Sequence, residues 1–326
     1  MNIAYSTDEN YAIHAYISLA SLLDNNKEVK EIVCYLIDNR LSLETRRSFQ
    51  ELMNLYQTEQ CVRILKFIDF TQYEKLVIDA TPCGSLSTYG RIFLPDLCDA
   101  DRILYIDCDT LVIGRLDDLY SINLEDYAVA GVQDIVALNI RKQVGLDYGD
   151  RYINAGVSLI NLDYWRKNNG QKRCLDFINA YDGKVPFEDQ GTINGVFRGH
   201  IKIVSPKFNM MNPLLDYSGS QIAAYMDIEN YYSDAEVKIA KSDIRLVHFT
   251  AGYYLRPWFE NSNHPYRQIY KDYRAKTPWK DVPLQASVKR ITTKDKISHL
   301  LHKCCPAKVF RFAKSIIKKT NKVLKS

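Results

Sequence analysis

Three apolar segments at residues 2–6, 31–37 and 62–68 alternate with amphipathic ones at residues 11–23 and 43–56. This alternation constrains the fold more than any other feature of the chain. The apolar segments are rich in Ile, Val, Leu and Tyr and read as strands. The amphipathic ones read as helices, the first ended by Asn25-Asn26 and the second begun by Ser42. Strands and helices alternating at such short intervals require right-handed βαβ crossovers, hence a doubly wound α/β fold with a mostly parallel sheet. The 326 residues hold one large α/β domain with insertions, or two modest domains.

A fourth apolar run, Leu104-Tyr105-Ile106, delivers Asp107-Cys108-Asp109 before apolar residues resume at Thr110-Leu111-Val112. It is too continuously apolar for a half-solvated strand and reads as buried and parallel. Ligands of open α/β sheets sit just beyond the carboxyl ends of strands, where these two aspartates emerge. At spacing i, i+2 on extended backbone both side chains leave one face. Two carboxylates that close repel unless a cation lies between them. The plainer alternative is a polar strand end whose Asp caps the next helix.

Further candidates lie at other element boundaries. Asp8 and Asn10 follow the first strand, where they could read a base stacked on Tyr11, or simply start a helix. Residues 87–97 read as a helix with Arg91 in its middle. A strand over 128–132 ends at Gln133-Asp134, and residues 135–152 read as loop or short helix. Asn154-Ala155-Gly156 leads into a strand over 157–162, followed by a helix over 164–181. Glu188-Asp189-Gln190 opens a short helix to Phe197, and residues 201–204 form another strand. Residues 205–240 carry few signals, and whatever part of a site the other candidates do not supply is expected there, around Phe208-Asn209-Met210. A last buried strand over 244–250 holds His248, which reads either as a satisfied core histidine or as a ligand. With two carboxylates it makes a set suited to Mn²⁺ or Mg²⁺. Neither G-x-G-x-x-G nor G-x-x-x-x-G-K-[ST] occurs, so no dinucleotide fingerprint or phosphate loop is supported.

The net charge of +4 conceals an asymmetry: residues 289–325 carry twelve Lys/Arg and one acid, Asp295, so the preceding body is acidic. After Pro306, Val309, Phe312, Ala313, Ile316, Thr320 and Val323 recur at helical spacing, with Lys308, Arg311, Lys318, Lys322 and Lys325 mainly opposite. This reads as a basic amphipathic helix for an anionic membrane surface. Nucleic acid is not the expected partner, since the body is acidic and no recognised module is present. The eight cysteines show no CxxC or Cys/His zinc spacing and read as reduced, mostly buried thiols. Met1 leads directly into the first strand and no run of about 18 apolar residues occurs, so neither a signal peptide nor a membrane span is expected.

Six pieces taken together resemble the family-eight retaining glycosyltransferases, which include glycogenins and bacterial lipooligosaccharide galactosyltransferases. They are Tyr5-Ser6-Thr7-Asp8-Glu9-Asn10-Tyr11, Thr88-Tyr89-Gly90-Arg91, Tyr105-Ile106-Asp107-Cys108-Asp109, Asn154-Ala155-Gly156-Val157, Asp189-Gln190-Gly191 and Val247-His248-Phe249, in family order from residue 2 to about residue 258. The resemblance implies a GT-A fold, a single Rossmann-like mostly parallel sheet with helices on both faces, spanning residues 1–280 ahead of the basic tail 281–326. It implies a metal-dependent retaining hexosyltransferase using UDP-glucose or UDP-galactose, with a glycan or glycolipid acceptor whose site is expected in the 205–240 stretch. Asp107, Asp109 and His248 would hold Mn²⁺, with Mg²⁺ as the alternative. Ser6, Asp8, Asn10, Tyr11 and Cys108 would line the nucleotide. Arg91, Asp134, Asn154, Asp189 and Gln190 would surround the donor sugar, with Gln190, Asp189, Asp134 and Arg91 closest to the chemistry. One departure is visible: the family's His-x-x-Gly-x-x-Lys-Pro-Trp becomes a turn two residues longer, with Gly252 and Arg256 in the phosphate-binding places. A guanidinium can replace the lysine because it binds phosphate bidentately. The expected setting is cytoplasmic, at the inner face of a membrane. The rival readings are a nucleotide-sugar-binding protein without chemistry and a metal-dependent nucleotidyltransferase.

Overall fold

The computed structural model describes residues 1–71, 73, 86–287, 290–307 and 309, and within them ten strands form two sheets. The strands are β1 (Asn2–Asp8), β2 (Glu31–Asn39), β3 (Val62–Asp69), β4 (Arg102–Ile106), β5 (Thr110–Val112), β6 (Val129–Gln133), β7 (Ile153–Asn161), β8 (Ile201–Ile203), β9 (Met210–Met211) and β10 (Leu246–His248). The larger sheet has the order β3-β2-β1-β4-β7-β6-β8. Its first four strands are parallel neighbours, β7 runs antiparallel to both β4 and β6, and β8 is parallel to β6. The α/β reading with a mainly parallel sheet therefore holds.

Side chains alternate between two cores, as the period of a strand requires. Ile3, Tyr5, Ile32, Cys34, Leu36, Leu104 and Ile106 enter one core, and Ala4, Val33, Tyr35, Ile37, Ile103 and Tyr105 the other. The helices Ala12–Asn25 and Leu43–Leu55 cover the first face, the second helix starting where Ser42 accepts a hydrogen bond from the Thr45 amide.

The second sheet, of order β5-β10-β9, goes beyond the single-sheet expectation. Residues 104–112 are not one strand. The Asp107 amide still bonds to Gly156 O on β7 at 2.6 Å, whereas Asp109 O accepts the Phe249 amide at 2.9 Å. Asp107-Cys108-Asp109 is thus the crossing from one sheet to the other, and β5 pairs antiparallel with β10 so that Thr110 faces His248. The strand expected over 244–250 contracts to Leu246–His248.

Two helices also differ from expectation. Residues 87–97 form a 3₁₀ helix, Leu86–Phe93, and then a short α-helix, Leu94–Leu97, with Pro95 in its first turn. The stretch 164–181 divides into Leu162–Lys167 and Gly170–Ala180, because Asn169 takes a left-handed conformation at φ 52°. The weakly patterned 205–240 region contains three short helices, Asn212–Asp216, Gly219–Met226 and Asp234–Ser242.

The first part of the expected tail packs on the body. Gln285 exchanges backbone hydrogen bonds with Trp258 and Glu260. The helix Thr293–Cys304 rests on Asp216, which pairs with His299 at 3.1 Å and Lys303 at 2.7 Å. The Tyr253 ring stacks on His299 at 3.7 Å. Ile297, Leu300 and Leu301 on the same helix remain exposed. Most of the basic amphipathic segment after Pro306, with Lys308, Phe312 and Ile316, lies outside the described residues, as does Cys83. The seven described cysteines are free thiols, and Cys34, Cys98, Cys108 and Cys174 are buried. Among the described residues no helix is long and apolar enough to cross a membrane.

Candidate active site

A cavity of about 820 Å³ opens at the carboxyl ends of β1 and β4. Asp107 and Asp109 line it, and with the buried His248 behind them they form a cluster whose ligand atoms all lie within 4.8 Å of one another. His248 Nε2 stands 3.1 Å from Asp109 Oδ1 and 3.9 Å from Asp107 Oδ2. The donors of this cluster come from the crossing between the sheets and from β10, so it exists only because the small sheet brings Thr110 opposite His248. The backbone leaves room for it at Gly156: a Cβ there would fall 2.3 Å from Asp107 Oδ2 and 2.5 Å from His248 Cε1. Glycine after Asn154-Ala155 is therefore a steric requirement of the cluster. Two carboxylates and one imidazole, converging with no competing thiolate, fit a hard divalent cation.

Burial disfavours the charged forms of Asp109 and His248, yet each overrides that cost for the other. The imidazole and Arg256 hold the Asp109 carboxyl below its ordinary range, and Asp109 holds His248 above its own. Arg256 reaches Asp109 Oδ2 at 3.2 Å.

A buried guanidinium joins this cluster to the next. Arg91, 4% exposed, donates from Nη2 to Asp107 Oδ1 at 2.8 Å and from Nη1 to Ala155 O, its Nε forms an ion pair with Asp189 Oδ2 at 2.7 Å, and the guanidinium lies over the Tyr105 ring at 3.9 Å. Burial pushes the Asp189 carboxyl up to about 7, against the pull of Arg91. Asp189 and Gln190 open the helix Glu188–Val196.

The amides are held by their neighbours. The Ala155 amide donates to Gln190 Oε1 at 3.1 Å, and Asn154 Nδ2 donates to the same oxygen and to Asp134 Oδ2, each at 3.2 Å. Gln190 Nε2 donates to Asp134 Oδ2 at 2.8 Å and to Tyr152 OH at 3.3 Å. An irregularity of β7 produces this cluster. Ser158 faces Gly131 and Ile153 faces Gln133, so Asn154 to Val157 bulge opposite a single residue of β6. Bulges of this kind re-aim side chains at site rims.

The cavity is also lined by Ser6, Asp8 and Tyr11, with Cys108 closing the floor by donating from Sγ to Ser6 O at 3.2 Å. Asp8 Oδ1 accepts the Tyr11 amide at 3.0 Å, both residues line the cavity, and Tyr11 is 41% exposed. Asn10 is exposed and stands apart from the cavity lining, as do Gly252 and Arg256. Gly252 lies instead in a shallow cleft with Tyr253 and His299.

Sequence reasoning places Phe208-Asn209-Met210 on the acceptor side, and the structure corrects this: all three are buried, Asn209 beneath His248. Residues it named without a site role or passed over include Tyr105 and Tyr152, which support Arg91 and Gln190, and Lys184, Val185, Phe187 and Glu188, which line the cavity. Phe187 and Glu188 hold φ of 58° and 51°. No local pattern in a sequence announces such strained positions.

The class this fold and site define is a GT-A-type sugar transferase, and comparison with known proteins agrees. The family model for glycosyl transferase family 8 matches residues 2–262, and the chain belongs to that family. It is 26% identical over 308 residues to a lipopolysaccharide 1,2-glucosyltransferase of Escherichia coli, covering 92% of this chain and 86% of that protein. It is also 26% identical to general stress protein A of Bacillus subtilis, covering 86% and 96%. Among solved structures, the galactosyltransferase LgtC in complex with donor and acceptor sugar analogues superposes with a TM-score of 0.70 at 22% identity, covering 86% of this chain and 99% of that one.

Proposed function

We propose that this protein transfers glucose or galactose from a UDP-sugar to a hydroxyl of a glycan or glycolipid, with retention of anomeric configuration and dependence on Mn²⁺ or Mg²⁺. The observation that carries this reading is the convergence of Asp107, Asp109 and His248 at the cavity, joined through Arg91 to Asp189, beside the amides of Asn154 and Gln190. A nucleotide-binding protein without chemistry has no use for three converging metal-ligand side chains tied through a buried arginine to a buried carboxylate. A nucleotidyltransferase would not need the two amides beside the metal ligands.

Asp107, Asp109 and His248 would hold the cation, which when bound supplies Lewis-acid neutralisation of charge on the departing diphosphate. Asp8 and Tyr11 would hold the base, the carboxylate accepting from its N–H and the ring stacking on it. Arg91 sets Asp107 and Asp189 at fixed separation from each other and adds positive charge where the leaving group departs. Arg256, within reach of Asp109, is free to turn onto a phosphate once a cation takes the carboxylate. Asp134 and the Asn154 and Gln190 amides would orient the sugar hydroxyls.

Retention through a covalent intermediate requires an available carboxylate. Gln190 Oε1 already accepts two hydrogen bonds, and Asp189 is 3% exposed and paired with Arg91. This favours front-face attack by the acceptor hydroxyl, with Asp189 and Gln190 stabilising the oxocarbenium-like centre. The lipopolysaccharide acceptor in the name of the Escherichia coli relative makes a lipid-linked glycan the acceptor class we infer. The basic segment after Pro306 would bring the enzyme to an anionic membrane at its cytoplasmic face.

Asp109→Asn is the direct test. Incubated with UDP-glucose or UDP-galactose and Mn²⁺, the wild type should release UDP by slow donor hydrolysis and the variant should release none at any Mn²⁺ concentration. Near-normal release by the variant would refute the metal role.

A further inference from the structure

We propose that Asn209 is a positioning residue that fixes the tautomer of His248 and ties the metal ligands to the amide of Gln190. The inference rests on the metal-dependent reading above.

The argument starts from a group whose role is not open to choice. The Gly156 backbone N–H can only donate, and it meets Asn154 Oδ1 at 3.1 Å. That oxygen is therefore the acceptor, which turns Asn154 Nδ2 toward Gln190 and Asp134. The Ala155 amide fixes Gln190 in the same way. Asn209 presents its own amide to Asn154 Oδ1 at 2.9 Å, and facing an acceptor it must present Nδ2. Its Oδ1 then points at His248 Nδ1 across 3.0 Å. Facing an acceptor in turn, Nδ1 must carry hydrogen, so in the neutral imidazole the lone pair lies on Nε2, the nitrogen beside Asp109 and Asp107. Two backbone donors thus polarise the whole set, and no amide orientation has to be assumed. All three members are buried: Asn209 is 0% exposed, His248 4% and Asn154 8%.

Without Asn209 the preference reverses. Asp109 Oδ1, 3.1 Å from Nε2, would draw the hydrogen to that nitrogen, and a protonated Nε2 cannot bind a cation. Partners of metal-binding histidines that fix the tautomer are worth about 10–100-fold in metal affinity.

The test is a Mn²⁺ titration without donor, reading free Mn²⁺ by electron paramagnetic resonance. Asn209→Leu should bind about 10–100-fold more weakly than the wild type. Asn209→Asp keeps an acceptor for Nδ1–H and loses the donor to Asn154, so it should escape that loss of about 10–100-fold in Mn²⁺ affinity while kcat for donor hydrolysis falls. Equal binding by the Leu variant, or equal loss in both variants, overturns the inference. A long-range ¹H–¹⁵N correlation spectrum of the wild type with Mg²⁺ decides the tautomer even if a variant fails to fold: Nδ1 should carry the proton, and an unprotonated Nδ1 overturns the proposal. A wild type that binds no Mn²⁺ would overturn the metal reading itself, and this inference with it.

Discussion

Replacing Gly156 by alanine tests the site through sterics alone, because it removes no functional group. The added methyl would fall 2.3 Å from Asp107 Oδ2, 2.5 Å from His248 Cε1 and 3.0 Å from Asn154 Oδ1. Ordinary contact needs about 3.5 Å, so the carboxylate and the ring must each retreat by about 1 Å, or β7 must move. Neither side chain can yield freely: Arg91 holds Asp107 at 2.8 Å and Asn209 holds His248 at 3.0 Å. Overpacking of this kind costs about 1–3 kcal/mol of stability, a fall of a few degrees in Tm for a domain this large. Metal distances tolerate only about 0.2 Å, so the loss of Mn²⁺ affinity should be far larger than the loss of stability. Mn²⁺ titration and a thermal melt of the same sample read the two effects separately. Gly149→Ala is the matched control, since its Cβ would meet nothing closer than 3.9 Å. Wild-type Mn²⁺ affinity and donor hydrolysis in Gly156→Ala would refute the steric account of the site.

Donor hydrolysis should also depend on the charge of Asp189, whose carboxyl burial raises to about 7. Its rate should climb as pH rises through about 7 and the ionised carboxylate pairs with Arg91, and a pH–rate profile that keeps the same acid limb in Asp189→Asn would exclude this group. The stability sign is opposite: between the unfolded value of about 4 and about 7 the native state holds a proton the unfolded chain has lost, so this residue's contribution falls as pH rises. Tyr11→Ala should raise the donor KM by roughly 5- to 150-fold, as loss of one base–aromatic stack worth about 1–3 kcal/mol predicts, with Tm little changed because Tyr11 is already 41% exposed. Deleting residues 306–326, which leaves the docked helix Thr293–Cys304 on Asp216, should abolish binding to anionic vesicles in a flotation assay while activity on a soluble acceptor persists. Equal flotation of the truncated protein would sink the membrane role of the tail.

The sequence by itself determined the parts of this protein that depend on local periodicity and composition. Runs such as Ile32-Val33-Cys34-Tyr35-Leu36 can only be buried strands, and their alternation with amphipathic helices imposes the parallel half of the sheet through the handedness of βαβ crossovers. The same reasoning put Asp107 and Asp109 at a strand end, and the six ordered pieces brought Arg91, Asn154, Asp189, Gln190 and His248 to one family site. Tertiary structure decided how those residues meet. In the sequence one apolar run ends at the aspartates and another resumes at Thr110, but apolar periodicity does not record which sheet either run joins. Only the pairing of Thr110 with His248 shows that the chain crosses between sheets at the aspartates. The antiparallel course of β7 and its bulge at Asn154 to Val157 are likewise set by pairing with β4 and β6, whose partner residues lie 51–59 and 20–31 positions away in the chain. Asn209 shows the difference most clearly. In sequence it is one polar residue in an uninformative stretch, and in the fold it is buried between His248 and Asn154. Hydrogen bonds between side chains remote in sequence leave no periodicity behind, so their partners are chosen only when the chain has closed around them.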